Sequence, residues 1–116
     1  MLDATKLRGI LPATPTPVTA DGNIDVAASK ALFSWLNRQG IDGVVPLGGT
    51  GEYGALARAE RNRFAELTVE AMAGRKPVIA GVLDTGYHDA LAAGRDFAAA
   101  GVDGLLVLTP YYTNPT

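Results

Sequence analysis

The sequence predicts an α/β fold of parallel strands alternating with helices, about four strands and three helices. Three features carry that expectation. Uniformly apolar runs recur at Gly43 to Leu47, Pro77 to Leu83 and Gly104 to Leu108. Strands buried on both faces read this way, without alternation of polar and apolar residues. Between the runs lie segments whose apolar residues repeat with helical spacing, and successive strands stand roughly 30 residues apart, the size of a β-α-β unit.

The first element is Gly9 to Thr16, a short, mostly apolar run broken by prolines, expected as a strand leading into a loop. Asp21-Gly22-Asn23 is a turn signal. Asp25 offers an N-cap for a helix reaching about Gln39. Ala28, Ala31, Leu32, Trp35 and Leu36 fall at i, i+3, i+4, i+7 and i+8 and define its expected buried stripe. Gly40 suits the left-handed position past its end. Gly43 to Leu47 is the second strand, and Gly48 to Gly54 a glycine-rich loop.

A second helix is expected from about Arg58 to Ala73, with Phe64, Leu67, Ala71 and Met72 inward and Gly74 ending it. Its start lacks a good cap, because Ala57 sits where Ser, Thr or Asp serves better. Pro77 to Leu83 is the third strand, and Asp84 or Thr85 is expected to cap a third helix. Ala90, Ala93, Gly94, Phe97 and Ala98 repeat the helical spacing there; Gly101 ends the helix, and Gly104 to Leu108 is the fourth strand. Two strings repeat, Gly40-Ile41-Asp42-Gly43 and Gly101-Val102-Asp103-Gly104, each joining a helix end to an apolar strand.

Right-handed crossovers make such strands parallel. Two architectures fit: a doubly wound open sheet and a (β/α)8 barrel. Four units cannot close a barrel, which needs about 250 residues. The sequence ends in a loop, Tyr111 to Thr116, with no helix to cover the fourth strand, so residues 1–116 read as a product truncated after strand four more than a finished domain.

Composition narrows the function classes. The chain of 116 residues is 47% apolar and 19% charged, which is globular composition. The net charge of −2 and the absence of a basic run argue against nucleic acid as a partner. With no cysteine, disulfides and thiolate metal sites are excluded. The first 17 residues contain no apolar stretch of signal-peptide type, and no run has membrane-spanning length. A cytoplasmic protein with no membrane partner is the expectation.

The strongest candidate for chemistry is Gly48-Gly49-Thr50-Gly51-Glu52. It follows the C-terminal end of a strand, the edge at which parallel α/β proteins hold ligands. Glycines let backbone N–H groups approach an anion, and Thr50 adds a hydroxyl, so a small carboxylate or phosphate fits. The same residues also fit a tight turn that holds nothing. Dinucleotide and Walker fingerprints are absent. Glu52 is a candidate general base, though it more commonly holds its own loop by bonding backbone. Asp84 stands at the end of the third strand as a candidate catalytic group or an N-cap. His88, the only histidine, reads as solvated. Arg58, Glu60, Arg61 and Arg63 read as the wet face of a helix. No cluster has metal-ligand spacing, so no metal is expected.

The motifs resemble the dihydrodipicolinate synthase/N-acetylneuraminate lyase family. Gly48-Gly49-Thr50-Gly51-Glu52 is similar to that family's Gly-Thr-Thr-Gly-Glu or Gly-Ser-Thr-Gly-Glu signature. Thr109-Pro110-Tyr111-Tyr112, with Asn114-Pro115, is similar to its loop after strand four, and Pro77-Val78-Ile79-Ala80-Gly81 to its third strand. The opening strand with Pro15 and the turn at Asp21-Gly22-Asn23 also agree.

The resemblance implies the N-terminal half of a TIM (β/α)8 barrel. It implies a class I aldolase-type lyase needing no cofactor, in which a barrel lysine forms a Schiff base with pyruvate or another 2-oxo acid. Gly49 and Thr50 would bind the substrate, Thr50 taking its carboxylate through backbone N–H and hydroxyl. Tyr112 would be the catalytic tyrosine of a proton relay, and Tyr111 and Tyr112 would lie at a subunit interface of a homo-oligomer, a dimer or tetramer.

Two departures stand out. Position 49 is glycine where the family's synthases carry threonine and its sialic acid lyases serine, which is more reminiscent of the sugar-acid dehydratase and aldolase branches. No lysine suits the Schiff-base role either: Lys6 precedes the first strand, Lys30 lies on the polar side of the first helix, and Lys76 enters the third strand from its N-terminal end. The family's lysine is expected beyond Thr116. The competing readings are a non-catalytic half-barrel that self-associates or binds a small anion, and a phosphate-binding flavodoxin-like domain. The 116 residues alone are expected to show no lyase turnover, and measurable turnover by the purified chain would overturn that expectation.

Overall fold

Proline decides how much of the expected sheet becomes regular strand. The computed structural model describes residues 3–111. Only the third and fourth expected strands are regular, β1 (Ile79–Val82) and β2 (Gly104–Val107). They pair in parallel, Ile79 opposite Gly104 through Val82 opposite Val107. The first two contract to single parallel bridges, Ala13 with Val45 and Val44 with Val78. Pro12, Pro15, Pro46 and Pro77 supply no N–H there, so a full ladder cannot form. The remaining groups still pair: Thr14 N–H donates to Val45 O (3.1 Å), Val45 N–H to Pro12 O (2.9 Å), Ile79 N–H to Val44 O (3.0 Å) and Gly81 N–H to Pro46 O (2.9 Å). The four segments therefore run side by side and parallel, in chain order.

The repeated Gly-x-Asp-Gly string has one structural job in both copies. Asp42 donates its N–H to Ile10 O (2.8 Å) and accepts the Ile10 N–H on Oδ2 (2.7 Å). Asp103 does the same with Val78, donating at 2.9 Å and accepting at 2.9 Å. Each aspartate clasps the start of the neighbouring strand, which fixes register at the N-terminal edge.

Three α-helices follow the strand segments: α1 (Val26–Asn37), α2 (Arg58–Met72) and α3 (Tyr87–Ala100). Asp25 caps α1 by accepting the Ala28 N–H at 2.9 Å. The expected stripe on α1 is corrected. Its buried residues are Ser29, Phe33 and Leu36, with Leu32 half-buried, whereas Ala28 and Ala31 are exposed and Trp35 is 53% exposed. Ser29 can lie inward because its hydroxyl donates to Asp25 O at 2.7 Å within the helix. That rotates Phe33 onto the Phe64 ring of α2, at 5.5 Å between centroids.

On α2 the expected Phe64, Leu67 and Met72 are buried and Ala71 half-buried, joined by Ala65 and Thr68. Ala57 caps it without a side-chain bond, and the left-handed residue that ends it is Ala73, one residue before Gly74. The cap of α3 is Gly86, not Asp84 or Thr85, because the helix starts at Tyr87 and the Asp84 carboxylate is engaged elsewhere. Ala93 and Phe97 face the core and Ala98 is exposed.

The helices pack α1 on α2 and α2 on α3. Val44, Val78, Ala80 and Val82 meet them in one core. Leu105, Leu106 and Val107 of β2, with Leu108 just past its end, are all exposed, although the Leu105 side chain lies against Gly94 of α3. No described helix is long and apolar enough to cross a membrane.

The two stripes on α1 make opposite forecasts. Phe33→Ala is expected to cost about 3–5 kcal/mol and Trp35→Ala about 0.5 kcal/mol or less. Urea denaturation checks both, and the reverse order would restore the stripe read from spacing.

Candidate active site

Parallel strands put every strand-to-helix turn at one edge. That edge gathers Thr16, the segment Gly48–Tyr53, Asp84 and the residues Thr109 to Tyr111. The turn after Leu47 is held in an unusual backbone path. Leu47, fully buried, has φ 63°, and Glu52 has φ 55°. Two non-glycine residues in the left-handed region bracket the loop, each at a cost of about 1–3 kcal/mol.

Packing enforces this path. A Cβ at Gly81 would collide with the Leu47 carbonyl, and one at Gly51 would lie 2.8 Å from Leu47 N. These two glycines allow the loop to fold back over the strand ends. Thr16 Oγ1 donates to Gly51 O at 2.7 Å, and Glu52 N–H donates to Gly49 O at 3.1 Å. The N–H groups of Gly49 and Thr50 donate to no described residue. Both residues are exposed, and a Cβ at Gly49 would meet nothing within 4 Å. The loop thus offers two adjacent amide donors to solvent, next to the Thr50 side chain.

Glu52 does not hold the loop with its carboxylate, which bonds no described residue; its backbone does that work. Of the two readings of Asp84, the cap is excluded and the position at the strand end holds. It accepts the Tyr53 hydroxyl at 2.7 Å and faces the Arg61 guanidinium at 3.7 Å. Arg61 stacks 4.2 Å from the Tyr53 ring centroid and donates to Tyr53 O at 3.3 Å. Burial, reinforced by the hydrogen bond to Asp84, pushes the Tyr53 phenol well above its ordinary range, so it remains a donor at physiological pH.

The charged run on α2 is wet at Arg58 and Arg63, which are exposed, and half-buried at Glu60 and Arg61. Arg58 pairs with Asp96 of α3 at 2.7 Å, and Glu60 accepts the Ile24 N–H at 2.7 Å. Only Arg63 pairs loosely, with Glu66 at 4.0 Å on the same helix. The Asn62 amide and the Arg58 guanidinium hold the Asp96 carboxyl below its usual range.

His88 is exposed and meets the Tyr87 ring edge-on. Lys30 is exposed on α1, and Lys76 donates to Asn37 O at 3.2 Å near the opposite edge, so neither side chain reaches the rim. Tyr111 is 61% exposed at the end of the described chain, and Tyr112 lies outside the described residues. No described group of three or more His, Cys, Asp or Glu residues could hold a metal ion. Sequence reading missed Thr16, Tyr53 and Arg61. A hint was available for Tyr53, the one aromatic in a segment of glycines and small residues.

The class these features define is a parallel β/α protein whose C-terminal rim carries a rigid glycine-rich loop with open amide donors. The sequence model of the Dihydrodipicolinate synthetase family matches residues 6–116, and the chain belongs to that family. It is 38% identical over 115 residues to the 4-hydroxy-tetrahydrodipicolinate synthase of Gluconacetobacter diazotrophicus, covering 99% of this chain and 39% of that protein. It is 42% identical over 108 residues to the enzyme of the same name from Acidiphilium cryptum, covering 93% of this chain and 37% of that one. Among solved structures, it matches a prophage protein of the dihydrodipicolinic acid synthase family from E. coli K12, in complex with pyruvate. There the TM-score is 0.89 and the identity 33%, over 95% of this chain and 37% of the other. The chain therefore spans under two fifths of the length of the relatives it matches.

The packing of Gly81 against Leu47 leads to a direct test. Gly81→Ala is expected to cost about 3 kcal/mol or more, whereas Gly49→Ala stays within about 0.5 kcal/mol. Thermal unfolding of both variants measures this, and a tolerated Gly81→Ala would mean that the loop is not locked by that contact.

Proposed function

We propose that this chain is part of a Schiff-base-forming lyase, a class I aldolase, synthase or dehydratase acting on pyruvate or a related 2-oxo acid, and that it forms the N-terminal half of a TIM barrel. The observation that carries the reading is the pair of open N–H groups at Gly49 and Thr50, set at the strand edge where barrel enzymes bind substrate. Two adjacent free amides and a hydroxyl suit a carboxylate, whose oxygens accept several donors at once. Family membership and the pyruvate-bound relative support the choice of a 2-oxo acid.

In this reading the loop binds and orients the carboxylate. The amine of a lysine attacks the neighbouring ketone carbon, water leaves, and a cationic imine forms. The imine accepts the electron pair released when a C–H or C–C bond at the adjacent carbon breaks. The family resemblance assigns the lysine to chain beyond residue 116, and neither Lys30 nor Lys76 is placed for that attack. Tyr112 is proposed as the relay tyrosine. Tyr111 and Tyr112 are proposed as interface residues of a homo-oligomer. The absence of a side chain at Gly49 favours the dehydratase and aldolase branches over the synthase.

The exposure of Leu105, Leu106, Val107 and Leu108 favours a second reading, association of β2 with further β/α structure from a second copy. Size-exclusion chromatography of the purified 116-residue chain separates the two: a discrete dimer supports self-association, and aggregates support completion within a longer protein.

The lyase reading predicts that the natively expressed protein, incubated with pyruvate and borohydride, gains a reduced pyruvate adduct on a lysine outside residues 1–116. Intact-mass and peptide spectra report it. An unmodified protein under saturating pyruvate would contradict the reading.

A further inference from the structure

We propose that Tyr53, through Asp84 and Arg61, is a positioning residue that holds the Gly48–Glu52 loop in its ligand-ready conformation; this deepens the lyase reading and rests on it for the identity of the ligand. Three observations combine. First, the loop leaves Leu47 and returns at Glu52 through two left-handed non-glycine residues. Such a path relaxes unless both ends are fixed. The Leu47 end is fixed by Gly81 packing and by the Gly81 N–H on Pro46 O. Secondly, the residue directly after Glu52 is Tyr53, which is 2% exposed and whose N–H reaches back to Gly48 O at 3.4 Å. Anchoring Tyr53 therefore anchors the other end.

Thirdly, the Tyr53 side chain is held both at its hydroxyl and over its ring. Its hydroxyl donates to Asp84 at the end of β1, the Arg61 guanidinium covers its ring, and Arg61 also bonds its carbonyl. The Arg61 and Asp84 side chains are only 14% and 15% exposed and face each other at 3.7 Å, so the three close a ring. A hydrogen bond to an ionised carboxylate in such a setting is stronger than a neutral one. The ring joins the turn Tyr53–Ala55, α2 and Asp84, two residues past the end of β1. None of the three side chains needs to touch substrate to set the aim of the Gly49 and Thr50 amides.

The test uses the natively expressed protein with Tyr53→Phe, Asp84→Ala, Asp84→Asn and the double change Tyr53→Phe with Asp84→Ala. Three quantities are read: pyruvate affinity by calorimetry, hydrogen exchange at the Glu52 and Tyr53 amides without ligand, and melting temperature. Tyr53→Phe and Asp84→Ala are each expected to weaken pyruvate about tenfold and to speed exchange at both amides. Asp84→Asn keeps an acceptor for the phenol and is expected to retain affinity within about twofold. The double variant is expected to be no worse than the poorer single one, because the two groups act through one bond. A Tyr53→Phe protein that melts earlier yet keeps wild-type affinity and exchange would overturn the proposal, leaving Tyr53 as packing alone. If the wild type itself binds no pyruvate, the lyase reading fails, and the exchange rates alone decide whether Tyr53 holds the loop.

Discussion

The structure turns on the contact between the Leu47 carbonyl and Gly81. The second and third strand segments approach so closely there that no side chain fits between them. Leu47 takes a left-handed conformation while fully buried, and the chain turns back over the strand ends as a loop in which the Gly49 and Thr50 N–H groups donate to no described residue. Everything proposed for the rim depends on that turn. With an ordinary extended Leu47, residues 48–52 would continue the strand direction, and the Gly49 and Thr50 amides would not stand together at the edge.

Much of this was legible in the sequence, and the reasons differ by element. Helix positions followed from spacing and caps, with Asp25 and Gly101 placed as expected. Helix faces were less secure. On α1 a serine lies inward because its hydroxyl is satisfied by the helix backbone, and an exposed tryptophan imitates a core residue. A hydrophobicity pattern counts Trp35 as inward and Ser29 as outward, and both are reversed. The paired Gly-x-Asp-Gly strings announced a repeat, but the fold is what brings each aspartate onto the strand beside it, since the partners Ile10 and Val78 are 32 and 25 residues away.

The candidate site divides in the same manner. The glycine-rich loop was visible because its composition permits few other structures. Tyr53, Arg61 and Asp84 were invisible as a group, for they are brought together only when the end of β1 meets the first turns of α2. Local rules favoured capping for Asp84 and solvation for Arg61; tertiary packing replaced both. The charges of α2 likewise become ties to α3 and to the segment before α1, so a helix without a side-chain cap is secured by its neighbours instead.

A crystal structure of the natively expressed protein grown with pyruvate tests the central claim most directly. The account predicts a carboxylate oxygen within hydrogen-bond distance of the Gly49 and Thr50 amides, with Leu47 and Glu52 still left-handed. A 2-oxo acid bound elsewhere, with those two amides turned away or facing only solvent, would contradict it.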